Sequence, residues 1–184
     1  MFTTIQRSNT EITKLIILNK VHQYDDLYSI EPIPFKVSVE LTATPGEPKP
    51  EAEEINVQHS INFHKVTFFL ESILNESFVV TPAFSDKLLK LFADFDNGLI
   101  LSPDGGEASL GVMLHAKVNT ITEYCSVGAI KIVDTRTDTC YTYYDEDNEY
   151  DVLPSIKELV NNIPFHEQPW WFRNDISTYD GSAI

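Results

Sequence analysis

The chain has 184 residues, 42% hydrophobic and 11% aromatic, and its 28 Asp plus Glu outnumber 13 Lys plus Arg for a formal net charge of −15. That much apolar side chain excludes a disordered composition and is enough for one full core, so a single domain over residues 1–184 is expected. The negative excess repels nucleic acids and anionic membranes, and no run approaches the ~20 apolar residues that span a bilayer, so the reading is a soluble cytoplasmic protein.

The first strand-like run is Lys14–Val21. In the second, Phe35–Thr44, the residues Phe35, Val37, Val39 and Leu41 alternate with polar neighbours, the period-two pattern of a strand with one wet face. Residues 45–54 carry three prolines and four glutamates, a composition that disfavours helix and central strand and predicts a mobile surface loop. From Ile61 to Leu74, Phe63, Val66, Phe69, Leu70, Ile73 and Leu74 recur at helical spacing, and Asn75 marks the end. A strand at Phe78–Thr81, a helix over Ser85–Phe95 and a strand at Leu99–Ser102 follow. Ser102–Glu107 then reads as a turn into a helix carrying Leu110, Val112, Met113, Ala116, Val118 and Ile121.

Ser126–Val133 and Thr139–Tyr144 form an expected hairpin across the polar Asp134–Asp138 turn. Its arms carry Cys125 and Cys140, a placement compatible with a cross-strand disulfide, although a reduced, half-buried pair is the commoner outcome. A short helix is expected over Pro154–Ile163, then an aromatic tail from His166 that includes Pro169-Trp170-Trp171-Phe172-Arg173. This order predicts an α+β domain with a mostly antiparallel sheet and three to four helices packed on one face.

The densest feature is Tyr141–Asp151, with five carboxylates, four tyrosines and neither Lys nor Arg. In an extended chain Asp145, Asp147, Glu149 and Asp151 share one side, ~7 Å between neighbours. A calcium loop is rejected, because counting from Asp145 its glycine position holds Tyr150 and its terminal glutamate position Ile156. Two readings remain: a solvated strand end, as most charge runs are, or a ribbon of carboxylates that imitates phosphates and enters a cationic groove of a partner. The partner-binding candidates are therefore Asp145, Glu146, Asp147, Glu149 and Asp151, flanked by Tyr143 and Tyr144, with Trp170, Trp171 and Arg173 as a second contact. The bland alternative for the tail is that it folds back and seals the core.

No catalytic motif is present. His22, His59, His64, His115 and His166 include no zinc-protease pair, and a metal site would require His59, His64 and His115 to converge. Asp104-Gly105-Gly106-Glu107 lacks the Lys of a phosphate loop and would repel phosphate. The expectation is an acidic, non-catalytic interaction protein without metal or cofactor, binding a basic surface of a larger protein as an inhibitor or nucleic-acid mimic. The alternatives are a structural subunit of a larger assembly such as a viral particle, and a small hydrolase or nucleotide-processing enzyme using His64 or His115.

Overall fold

The computed structural model describes residues 9–43, 52–81, 83–85, 87–88, 91, 98–100, 106–144, 170 and 173, with the backbone alone at 43, 52–56 and 98–100. Six strands form one sheet: β1 (Asn9–Tyr24), β2 (Leu27–Ala43), β3 (Phe78–Val80), β4 (Gly98–Ile100), β5 (Cys125–Asp134) and β6 (Thr139–Tyr144), in the order β4-β3-β1-β2-β5-β6. Two α-helices, α1 (Ala52–Phe68) and α2 (Glu107–Ile121), and a π-helical turn (Phe69–Leu74) are the complete helical elements among the described residues. Lys87, Leu88 and Leu91 are also helical.

This corrects the expected fold class. The β1–β3 and β3–β4 ladders are parallel while β1–β2, β2–β5 and β5–β6 are antiparallel, so the sheet is mixed rather than mostly antiparallel. The physical reason is that β3 and β4 are each reached through long connections, and a strand that returns by a crossover lies parallel to its neighbour. Among the described residues two complete α-helices stand where three to four were predicted.

The long hairpin is the frame of the molecule. β1 and β2 pair continuously from Asn9↔Thr42 to Tyr24↔Leu27, so each is far longer than its recognisable apolar run. Phe35, Val37, Val39 and Leu41 point into the core, as their alternation requires. Pro32 and Pro34 lie within β2, beyond the last β5 partner of that strand at Phe35↔Asp134. A proline there removes no bond to a third strand. The chain reverses at Asp25, whose φ of 51° is left-handed backbone that a short polar side chain tolerates.

The α1 helix begins at Ala52, inside the stretch 45–54 predicted as loop, because the prolines end at residue 50 and Ala-Glu-Glu is good helix material. Its inward side chains Asn62 and Val66 continue into Phe69, Leu70 and Leu74 of the π turn, all fully buried. The π turn is closed by the Asn75 N–H donating to the Leu70 carbonyl at 3.0 Å, and Asn75 Oδ1 accepts the Ile17 N–H at 2.8 Å. The predicted stop at Asn75 is thus a joint between helix and sheet. Helix α2 packs on β5 and β6 and also touches α1, and its residues Ser109–Val118 are buried all round.

Candidate functional site

Among the described residues strand β6 is one edge of the sheet, and the acidic sequence follows directly from it. Alternation divides its residues between faces. Tyr141 and Tyr143 face α2, whereas Tyr144 is 55% exposed and Tyr143 only 2%. The α2 backbone approaches β6 closely at Gly111, where an added Cβ would lie 2.9 Å from Tyr141 Cε1 and 3.2 Å from Tyr143 Cβ. Gly111→Val should therefore overpack this contact and cost about 2–3 kcal/mol, read as a lower urea midpoint.

Two side chains on α2 break the apolar character of a buried helix. His115 is 1% exposed and meets Tyr143 edge-on, with ring centroids 5.1 Å apart, and its ring lies within hydrogen-bond distance of the Asn119 amide. Lys117 is 0% exposed, and its ammonium donates to the carbonyl oxygens of Trp170 at 2.9 Å and Arg173 at 3.1 Å. The Trp170 ring lies 5.9 Å from that ammonium and 6.0 Å from the Phe69 ring, and it is 1% exposed. A buried ammonium is tolerated only where hydrogen bonds replace its water, and here the tail supplies two of them.

A second polar cluster links α1 to the start of β5. Asn62 is 0% exposed, and its amide donates to the Glu123 carbonyl at 2.6 Å and to Cys125 Sγ at 3.2 Å while accepting the Glu123 N–H at 3.1 Å. Lys65 pairs with Glu123 at 2.9 Å, and His59 Nδ1 lies 3.3 Å from the Thr10 hydroxyl. Burial pushes the Cys125 thiol up, opposed by the Asn62 hydrogen bond, so the thiolate that a cysteine nucleophile needs is disfavoured. The β5–β6 register sets Cys140 beside Val133, eight residues along β5 from Cys125, which is ~26 Å of strand. That separation excludes the cross-strand disulfide, and both thiols are free. In a thiol titration under native conditions, Cys140, which is exposed, should react first and Cys125 markedly more slowly.

The third cluster ties the β5–β6 turn to the long hairpin. Arg136 forms ion pairs with Glu31 and with Asp134 Oδ2 at 2.8 Å, and Glu31 also meets His22 Nε2 at 2.9 Å. The Arg136 guanidinium holds the Asp134 and Glu31 carboxyls below their ordinary values, with His22 adding to the effect on Glu31. Carboxyls depressed in the folded state stabilise it above their unfolded values of 3.8 and 4.5, and that stabilisation is lost as pH falls through the lower folded values. Asp134→Asn should therefore flatten the acid limb of the stability-against-pH curve while shifting the neutral-pH midpoint downward.

Four of the predicted contacts, Tyr143, Tyr144, Trp170 and Arg173, are among the described residues. Tyr144 is exposed and Arg173 half-buried, whereas Tyr143 and Trp170 are inside the core. Asp145, Glu146, Asp147, Glu149, Asp151 and Trp171 lie outside the described residues, as does the helix expected at 154–163. His64 is exposed against Phe63, and no group of three or more His, Cys, Asp or Glu among the described residues is placed to hold a metal. Likewise, no helix among them is long and apolar enough to cross a membrane. Sequence reasoning passed over Lys117 and the Asp134–Arg136–Glu31 chain. For Lys117 a signal existed, since it is the only cation within the apolar helix Glu107–Ile121.

No family model and no curated protein matches the chain. Among solved structures, 6-pyruvoyl tetrahydropterin synthase of Plasmodium falciparum is similar with a TM-score of 0.40 and 7% identity, over 75% of this chain and 98% of that one. The Plasmodium vivax 6-pyruvoyl tetrahydropterin synthase is similar with a TM-score of 0.24 and 11% identity, over 77% of this chain and 64% of that one. Likenesses this remote assign no activity.

Proposed function

We propose that the protein is a non-catalytic interaction module whose acidic segment after β6 binds a basic surface on a larger protein, in the manner of an inhibitor that imitates nucleic acid. The observation that carries the reading is where the charge lies. Residues 145–151 hold five carboxylates and no Lys or Arg, so a third of the formal net charge of −15 falls on seven consecutive residues. Elsewhere on the surface carboxylates meet cations, as in the Lys14–Glu71 and Lys65–Glu123 pairs. Charge needed only for solubility would be spread over that surface too. A run of five carboxylates leaving an edge strand instead concentrates the field where a cationic groove can meet it.

Capture from native cell extract, with bound proteins identified by mass spectrometry, tests this. Basic proteins should be retained at low salt, released at high salt, and lost when Asp147→Lys and Glu149→Lys are introduced together. Retention of the same proteins by the charge-reversed variant would remove the segment from the interface.

A second reading, a subunit of a larger assembly, is favoured by the end of the long hairpin. There Tyr24, Leu27, Tyr28 and Ile30 are 62%, 74%, 47% and 44% exposed, an apolar concentration that a free two-stranded ribbon does not explain. Light scattering at high concentration separates self-assembly from a soluble monomer.

A further inference from the structure

We infer that the outer face of the β1–β2 ribbon pairs with the same face of a second copy of this chain about a two-fold axis, with apolar centres in contact and charged ends crossed. This deepens the assembly reading of the hairpin end and rests on it. Alternation divides the ribbon between two faces. Ile12, Ile16 and Leu18 of β1 and Ile33, Phe35 and Val37 of β2 enter the core, so Leu15, Ile17, Ile30 and Pro34 share the opposite face. There Leu15 is 65% and Ile17 39% exposed, next to the exposed Ile30 and Tyr28. The edge of β2 left open by β5 does not favour strand addition. The Pro34 carbonyl accepts the Thr135 N–H at 3.1 Å, so this residue, and Pro32 two before it, direct their backbone away from β1, and neither has an N–H to give an added strand. The ribbon therefore meets a partner by its face.

The charges at the two ends of this stripe select a second copy as its occupant. Lys36 is exposed at one end and meets no carboxylate among the described residues, and Asp25 and Asp26 are exposed at the other. Pro32 lies midway, ~13 Å along the strand from Lys36 and from Tyr28. A two-fold axis crossing the strands at Pro32 sets Ile30 against Pro34 of the other copy, and Tyr28 and Asp26 against its Lys36, with each contact made twice. A phenol ring and a carboxylate both favour an ammonium there. The same axis carries the two acidic turns to opposite ends, so they do not face each other. Repulsion between two chains of formal charge −15 is screened beyond ~8 Å at physiological salt. The stripe covers ~27 Å by ~10 Å, small for a stable interface, which makes the pairing micromolar rather than nanomolar.

The test is sedimentation equilibrium of the full chain at physiological salt, with a urea midpoint for each variant to show that the fold is kept. The wild type should pass from monomer to dimer as its concentration rises through the micromolar range. Ile30→Asp, at an exposed position, should weaken the dimer about tenfold or more, because it places a carboxylate in the apolar centre twice over. Lys36→Glu should weaken it about fivefold to tenfold, and adding Asp26→Lys to Lys36→Glu should restore it, since the pair re-forms with its signs exchanged. Lys131→Glu, a change at an exposed cation on β5 outside the ribbon, should have no effect. A dimer indifferent to Ile30→Asp, or a Lys36→Glu defect that Asp26→Lys does not repair, would overturn this face and its register while leaving self-assembly standing. A wild type that stays monomeric at every concentration would overturn self-assembly itself, and the pairing with it.

Discussion

Trp170→Ala is expected to lower folding stability by about 3–5 kcal/mol, the range for emptying a core site of its largest side chain. The indole is 1% exposed and lies 6.0 Å, centroid to centroid, from the Phe69 ring of the π turn. Its removal takes away burial, a ring contact and the lid over the Lys117 ammonium in one step. Against a typical domain stability of about 5–15 kcal/mol this is a large fraction, and the urea midpoint should fall accordingly. Combining it with Lys117→Met should give a coupling of about 1–2 kcal/mol, because each change removes part of the same contact. A loss under about 1 kcal/mol would mean that the tail rests on the core without contributing to it.

The second large effect concerns binding. Asp147→Lys with Glu149→Lys changes the net charge from −15 to −11 and reverses the middle of the run. Affinity for a basic partner should fall about tenfold to a hundredfold at low salt, and the remaining binding should depend less on salt, as fewer ions are released on contact. Stability should stay within about 0.5 kcal/mol, which separates loss of contact from loss of fold. Charge reversal at Asp25 and Asp26, acidic residues at the far hairpin turn, is the matched control and should leave the affinity unchanged.

The sequence made the short-range features legible and the long-range ones not. Alternation through Phe35–Leu41 and apolar spacing through Leu110–Ile121 are carried by neighbouring residues, and both reappear in β2 and α2. The turn at 134–138 was equally plain, since a polar run between two β-branched runs has few other solutions. In contrast, the extension of β1 back to Asn9 and of β2 back to Leu27 is set by pairing between the two strands, which single-strand patterning cannot register. Pro32 and Pro34 are residues that a central strand excludes, yet β2 runs through them because β5 stops short. The parallel placement of β3 and β4 depends on the crossings of their connections, and strand patterning does not encode direction.

Among the candidate site residues, the acidic run was evident because charge needs no fold to be counted. Burial of Trp170 was one of the two readings open for the tail, and burial of Tyr143 was not evident, because an aromatic residue reads alike as an interface anchor and as a core residue. Lys117 shows the same limit from the other side, since its meaning depends on two carbonyl oxygens more than fifty residues away.

The most direct test is to titrate the isotope-labelled protein with decalysine and follow its backbone amide resonances by NMR. Shifts should concentrate at Tyr144 and residues 145–151 and reverse when salt is raised. Shifts concentrated instead around Asn62 and Cys125, or scattered without saturation, would contradict the assignment of the acidic segment as the binding surface.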